Sequence, residues 1–406
     1  MLEPSLVEGF AMRRLRFPIL LAICALLSLA AQAQTNSSTS QLADKLVNTV
    51  LQVKPNQVVV INADPSNMTL VESLVTSLRK VGAFGIVDMG TNRMATMYFQ
   101  QVPARFDSQA PKDQLALASV ADAIVNIQYP SDPSAVKGVS AERLNATAKA
   151  FLPYTDYVLK RSIPTIGVGN GLMPSAVTAN YFGVPQSQLT TLFWSGLNAD
   201  YTAIHRDGSA LFNSATHARS VRIRSSNGTN LTFRAVAAMG LINDGVVSGA
   251  DRKKGGVAVQ KQLPAGDVYL IPQAGSANGT LVFGTVNFNG VDVNGMTFVF
   301  KNGKVTSMHA ANGSAEVAKF YTTGSAGRDE LGWVDIGVNR SMTVPAGKWG
   351  PGPSMASGYI SAGIGGNVPN GGTNRSTFAF ASNVPKGTVT VDTKTVVNAG
   401  QLASTL

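Results

Sequence analysis

Cysteine is all but missing: Cys24 is the sole one in 406 residues. It lies in an apolar stretch that reads as a removable leader, and the chain without it has no disulfide, thiolate metal ligand or cysteine nucleophile. Histidine is scarce, with three copies, and charged residues make up only 14 % of the chain, against roughly 25 % in ordinary domains. Side chains able to carry acid–base or metal chemistry are therefore few. Past the leader there is no apolar run long enough to cross a bilayer. The cationic excess lacks the aromatic interleaving of a nucleic-acid surface. Its one short cluster, Arg252-Lys253-Lys254 with Lys261 nearby, reads as solvated surface, so no nucleic-acid partner is expected.

What is present begins with an export signal. Met12, Arg13, Arg14 and Arg16 form a basic start, Phe17 to Leu29 an apolar run, and Ala31-Gln32-Ala33 a small-x-small cleavage site. Residues 1–33 are thus expected to be removed after Ala33, leaving a periplasmic or secreted chain. Three arginines and two glutamates leave with them, which takes the net charge from +10 to +9. An uncleaved membrane anchor is the less favoured reading, since the run is short and a cleavage triplet follows it.

The next 185 residues or so alternate strand with helix. Helices are expected over 41–53, from Asp64-Pro65 to Gly82, over 115–121 and over 144–157. Strands are expected over 57–62, 84–89, 123–127 and 164–168. Short apolar strands between amphipathic helices imply a parallel sheet covered on both faces. Gly167-Val168-Gly169-Asn170-Gly171 lacks the spacing of a dinucleotide cradle and reads as a plain turn. Residues 188–218 read as one long helix. Beyond it the period changes to two, with hairpin turns at Asn227-Gly228, Asn289-Gly290 and Asn302-Gly303. Only 315–322 there looks helical. The fold class is an α/β N-terminal domain with a parallel sheet, residues 34–218, plus an α+β, mainly antiparallel C-terminal domain, residues 219–406.

Several segments, in order, resemble the aminopeptidase T family of two-metal exopeptidases. Gln41-Leu42-Ala43-Asp44-Lys45-Leu46-Val47 leading to Val53-Lys54-Pro55-Asn56-Gln57-Val58-Val59 is similar to its opening helix, turn and first strand. Ala121-Asp122-Ala123, Phe193-Trp194, Val221-Arg222-Ile223, Asn230-Leu231-Thr232-Phe233, Leu263-Pro264-Ala265-Gly266-Asp267 and Leu331-Gly332-Trp333-Val334-Asp335 continue the likeness.

The resemblance implies a site of two glutamates, two histidines and an aspartate holding two cations, which would polarise a carbonyl and activate a bridging water. Carried over by position, the first glutamate falls at Asp267 and the second at Trp333. The first histidine falls at Ser361, and the last histidine and aspartate at Ala379 and Ala381. A tyrosine expected between these segments falls at Val368. Four of the five metal ligands are thereby replaced.

Asp267, Asp335 and His309 remain as candidate metal ligands, with Glu330 beside them; carboxylates of this kind suit calcium or magnesium better than zinc. His205 and His217 read as surface residues. No Gly-x-Ser-x-Gly elbow marks a nucleophile, and no catalytic residue is assigned. The expectation is an exported, non-hydrolysing relative without a cofactor. It would bind a small molecule or peptide in the interdomain cleft beside Trp333 and Tyr359. The alternatives are a metal-dependent aminopeptidase, or a remodelled enzyme of the same superfamily, which also includes dihydroxypyridine dioxygenases. The resemblance further implies a homodimer.

Overall fold

The computed structural model describes residues 38–129 and 132–406; the leader, its cleavage triplet and Cys24 lie outside them. Helix α1 covers residues 38–45 and runs into a π-turn at Leu46–Val50. Leu42, Leu46 and Val50 recur on its buried stripe, as their spacing requires. Strand β1 (Val58–Ala63) follows, and Asp64 restarts the chain by accepting from Ser66 N at 2.8 Å. Helix α2 (Met68–Lys80) buries Leu70, Val71, Leu74 and Leu78. Then come β2 (Phe84–Met89), α3 (Asn92–Gln101), α4 (Lys112–Val120), β3 (Ala123–Ile127), α5 (Ala141–Lys160) and β4 (Thr165–Val168). The four strands pair in parallel in the order β2-β1-β3-β4.

The expected single helix over 188–218 is two helices. After α6 (Ala176–Phe182), α7 spans Gln186–Leu197 and α8 spans Tyr201–His217. Asp200 sits between them in extended conformation and accepts from Thr202 N at 2.9 Å and Ala203 N at 3.2 Å. That is a helix N-cap, which satisfies donors that no preceding turn can reach. The apolar stripes on either side stay nearly in phase, so periodicity alone did not betray the break.

The chain then enters β5 (Val221–Arg224), β6 (Asn230–Phe233), β7 (Leu241–Asn243), α9 (Gly249–Lys254) and β8 (Gln260–Leu263). Strand β8, well past residue 218, returns to pair in parallel with β4 as the fifth strand of the first sheet. Next are β9 (Asp267–Leu270), β10 (Asn278–Val282), β11 (Val286–Phe288), β12 (Val291–Val293), β13 (Thr297–Lys301), β14 (Lys304–His309), α10 (Ser314–Thr323) and β15 (Leu331–Gly337). The last are β16 (Ile360–Gly365), β17 (Ala379–Asn383), β18 (Thr388–Val391), β19 (Lys394–Asn398) and β20 (Gln401–Leu402). They build an eight-stranded sheet, β14-β13-β10-β6-β5-β18-β19-β20, a five-stranded sheet, β17-β16-β15-β9-β7, and the ribbon β11-β12. Asn289 and Gly290, and Asn302 and Gly303, all take positive φ at their turns, which matches a two-residue hairpin.

The five-stranded sheet has two unlike faces, because successive side chains alternate. One carries Val268, Leu270, Val334, Ile336, Ile360, Ala362, Ile364 and Phe380, all buried. The Phe380 ring meets Phe283 at 5.5 Å and Phe298 at 5.8 Å, joining the two antiparallel sheets. One hydrophobic cluster continues from α1 through both halves of the chain. The opposite face carries Asp267, Tyr269, Trp333, Asp335, Ser361, Gly363 and Ala381, as the register pairs Asp335 with Tyr269 and Ser361, and Gly363 with Trp333 and Ala381. Among the described residues no helix is long and apolar enough to cross a membrane.

Candidate functional site: a buried acid pair on a polar sheet face

Five of the positions singled out from sequence, Asp267, Trp333, Asp335, Ser361 and Ala381, share this polar face, and Ala379 follows on the same side of β17. Asp267 and Asp335 come together; both are wholly buried. They come close enough to share a hydrogen bond, and Asp335 Oδ1 also accepts from Val268 N at 3.0 Å. Ser361 Oγ lies 3.5 Å from Asp335 Oδ2. Burial, and then the charge of Asp267, pushes Asp335 well above the usual carboxylate range. Burial raises Asp267 too, against the hydrogen bonds that stabilise its anion. Of the two, Asp335 is pushed further toward the protonated form.

Asp267 has no free oxygen. Ser354 Oγ donates to Oδ1 at 2.5 Å, while Asn243 Nδ2 and Asn170 Nδ2 donate to Oδ2 at 2.7 and 2.9 Å. Neither amide can turn round and offer oxygen instead. Asn243 Oδ1 accepts from Gln262 N at 2.9 Å, and Asn170 Nδ2 also donates to Pro264 O at 2.8 Å. Asn170 belongs to the turn after β4, with φ +42°, so the first domain supplies one of the three donors. Close by, Asn339 Nδ2 ties Gly196 O (3.2 Å) to Ala265 O (2.8 Å) and holds α7 against the approach to β9.

Trp333 is half-buried. A Cβ on Gly363 would lie 2.4 Å from its Cε2 and Nε1, so the indole packs directly against the bare backbone of β16. The Tyr269 ring meets it nearly edge-on, at 5.5 Å and 75°. Tyr359, expected to help line a cleft, donates its hydroxyl to Gly350 O at 2.6 Å, so that group is already engaged.

The remaining candidates are elsewhere. His309 is exposed at the end of β14, an edge strand of the other sheet, and does not join the acid pair. Its sequence position next to an apolar strand gave no hint of which sheet that strand would enter. Glu330 is engaged with Lys304 Nζ at 2.8 Å and Asn374 Nδ2 at 3.1 Å. Val368 opens a single 3-10 turn, Val368–Asn370. His217 is exposed and bonds Asn213 O. His205 is also exposed, but its Nδ1 lies 2.7 Å from Asp244 Oδ2. Lys261 corrects the reading of a solvated basic cluster: it is buried, 2.8 Å from Asp244 and 3.5 Å from Asp251, while Arg252, Lys253 and Lys254 are exposed.

Sequence reasoning missed the donors Ser354, Asn170 and Asn243. Asn170 carried a signal, as an asparagine in a glycine-rich turn able to take positive φ; Ser354 lies in an irregular loop and carried none. Among the described residues no three His, Cys, Asp or Glu side chains converge as a metal-holding group. A groove of about 810 Å³ lies between α1 and α7, lined by Lys45, Phe193 and Trp194 among others, and none of the acid-pair residues borders it.

A parallel-sheet α/β domain joined to an antiparallel-sheet domain is the architecture of the aminopeptidase T-like proteins. Residues 35–182 and 199–344 match the model of the thermophilic metalloprotease (M29) family, and the chain belongs to that family. Wild-type AmpT from Thermus thermophilus has the same fold, with a TM-score of 0.67 and 15 % identity over 91 % of this chain and 99 % of that one. So does 2,5-dihydroxypyridine dioxygenase from Pseudomonas putida KT2440, with a TM-score of 0.58 and 16 % identity over 91 % and 98 %. No curated protein matches the chain.

Proposed function

We propose that this chain is an exported M29-family protein in which the two-metal centre has given way to a hydrogen-bonded acid pair. Its role is to bind a peptide or other small molecule between its domains, without hydrolysing it. One observation carries the reading: both oxygens of Asp267 already accept from donors, and the two amides on Oδ2 are held in that orientation by other bonds. A cation needs lone pairs, and here it meets N–H and O–H groups. The donor set does not fit two metal ions. Trp333, Ser361, Ala379 and Ala381, where the family resemblance expects ligands, offer an indole, a hydroxyl and two methyls. The buried acids also lie out of reach of any substrate.

Elemental analysis of the purified mature protein, paired with a chromogenic aminoacyl-amide assay, tests this. The expected result is metal far below one equivalent and no amino acid released. Close to two transition ions per chain together with turnover would restore the metal-dependent aminopeptidase. One ion with another activity would favour the remodelled enzyme.

A further inference from the structure

The groove of about 810 Å³ between α1 and α7 has the volume of a small-molecule site, for which roughly 300–1,000 Å³ is usual. Its wall carries no Asp or Glu, so a cationic ligand finds no counter-charge there. Its one charged residue, Lys45, is already engaged. The ammonium donates to Leu197 O at 2.6 Å and lies 3.9 Å from the centre of the Tyr201 ring. It thereby answers the carbonyl end of α7. Burial also lowers its pKa, which weakens its hold on an anion. A wholly apolar ligand fits no better, because it would strip water from the polar groups of the wall without replacing their bonds. Those groups are neutral: Gln41 from α1, Asn67 before α2, Gln186, Thr190 and Thr191 from α7, and Asn198 at its end. An extended peptide needs a strand edge to pair with, and the backbone of α1 and α7 is spent within the helices. The groove also holds one uncovered aromatic plane. Trp194 is half-buried, and Phe193 meets it nearly edge-on at 5.5 Å and 79°.

We propose that this groove binds a neutral pyranose oligosaccharide, with one sugar ring against the Trp194 indole and its hydroxyls on the surrounding amides and threonines. A sugar repeats the character of the wall: uncharged, and dense in hydroxyls that both donate and accept. A carboxamide offers a donor and an acceptor in one plane, which suits two neighbouring hydroxyls. The flat patch of polarised C–H groups on a pyranose is drawn to the negative face of the indole. The groove lies wholly within residues 38–198, so the site belongs to the first domain and makes no use of the acid pair.

Saturation-transfer NMR on the mature full-length chain tests this, with cellobiose and maltose as probes and N-acetyl-trialaninamide as a neutral peptide control. At least one disaccharide should bind in the millimolar range or tighter, with the peptide silent. Thr191 is exposed on α7, and Thr191→Arg should abolish binding by filling the groove; arginine is a good helix former, so the helix is kept. Trp194→Ala should weaken binding about fivefold or more, the weight of one aromatic contact. Trp194→Tyr keeps a ring and should retain most of the affinity, which separates loss of the contact from damage to the fold. Neither disaccharide bound, the peptide bound in their place, or full binding by Thr191→Arg or Trp194→Ala overturns the proposal. None of these results touches the metal-free reading, which metal content and turnover decide.

Discussion

At the scale of single residues, the acid pair makes a demand that a metal centre would not. Asp335 lies between Val268 N and Asp267, and burial beside that second carboxyl favours its protonated form. An asparagine in its place keeps the same shape, accepts from Val268 N with its oxygen and donates to Asp267 with its amide. Asp335→Asn should therefore melt no lower than the parent protein, and higher at neutral pH, where the acid form must be maintained against its tendency to ionise. Asp335→Ala should lose about 1–3 kcal/mol, since it strands the buried donor of Val268 and removes a partner of Asp267. Urea unfolding of the two variants decides the matter; equal damage by Asn and Ala would mean that the carboxylate itself is required. Asp244 gives a pH prediction of the opposite sign. Burial alone would raise its pKa, but the charge and hydrogen bond of Lys261, with help from His205, bring it below the ordinary carboxylate value. A folded value below the unfolded one stabilises the protein above about pH 4 and is lost as the pH falls through it. Asp244→Asn should flatten the acid limb of a stability–pH curve. Lys261→Met, which leaves Asp244 and Asp251 facing each other without their cation, should cost about 3–5 kcal/mol at neutral pH.

At the scale of elements, β16 is shaped by what it must not carry. Gly363 is bare so that the indole of its partner can lie on it. Gly363→Val should destabilise the chain by about 1–3 kcal/mol through overpacking. Trp333→Ala in the same molecule should return part of that loss, a coupling that a double-mutant cycle in urea would measure; strict additivity would show that the two do not meet. Much of this layer was legible beforehand. The helices α2 and α5 and the parallel strands announced themselves by period, and the Asn-Gly turns by composition. The break at Asp200 was not, because capping acts over two residues while the apolar stripe extends over thirty. The grouping of Asp267 with Asp335 followed from the family resemblance and strand alternation. The amides that close Oδ2 of Asp267 come from β7 and from the turn after β4, distant in sequence, and only the fold brings them in.

At the scale of the whole molecule, export and self-association remain proposals for experiment. Processing by a signal peptidase should leave Gln34 as the first residue, which intact-mass measurement of the secreted protein would verify; retention of residues 1–33 would oppose it. Light scattering at micromolar concentration should give twice the mass of one chain if the protein pairs as the family resemblance implies, and a monomer would refute it.

Strand β8 has a consequence for anyone who would take the protein apart. The polypeptide leaves the first sheet, builds β5 to β7, comes back to fill the last place beside β4, and departs again. No single cut divides such a path. A piece ending at residue 218 would expose β4 as a raw apolar margin, and the remainder would carry β8 with nothing to lie against. The two halves should unfold in one step and resist separation by limited proteolysis, behaving as a woven whole rather than as beads on a string.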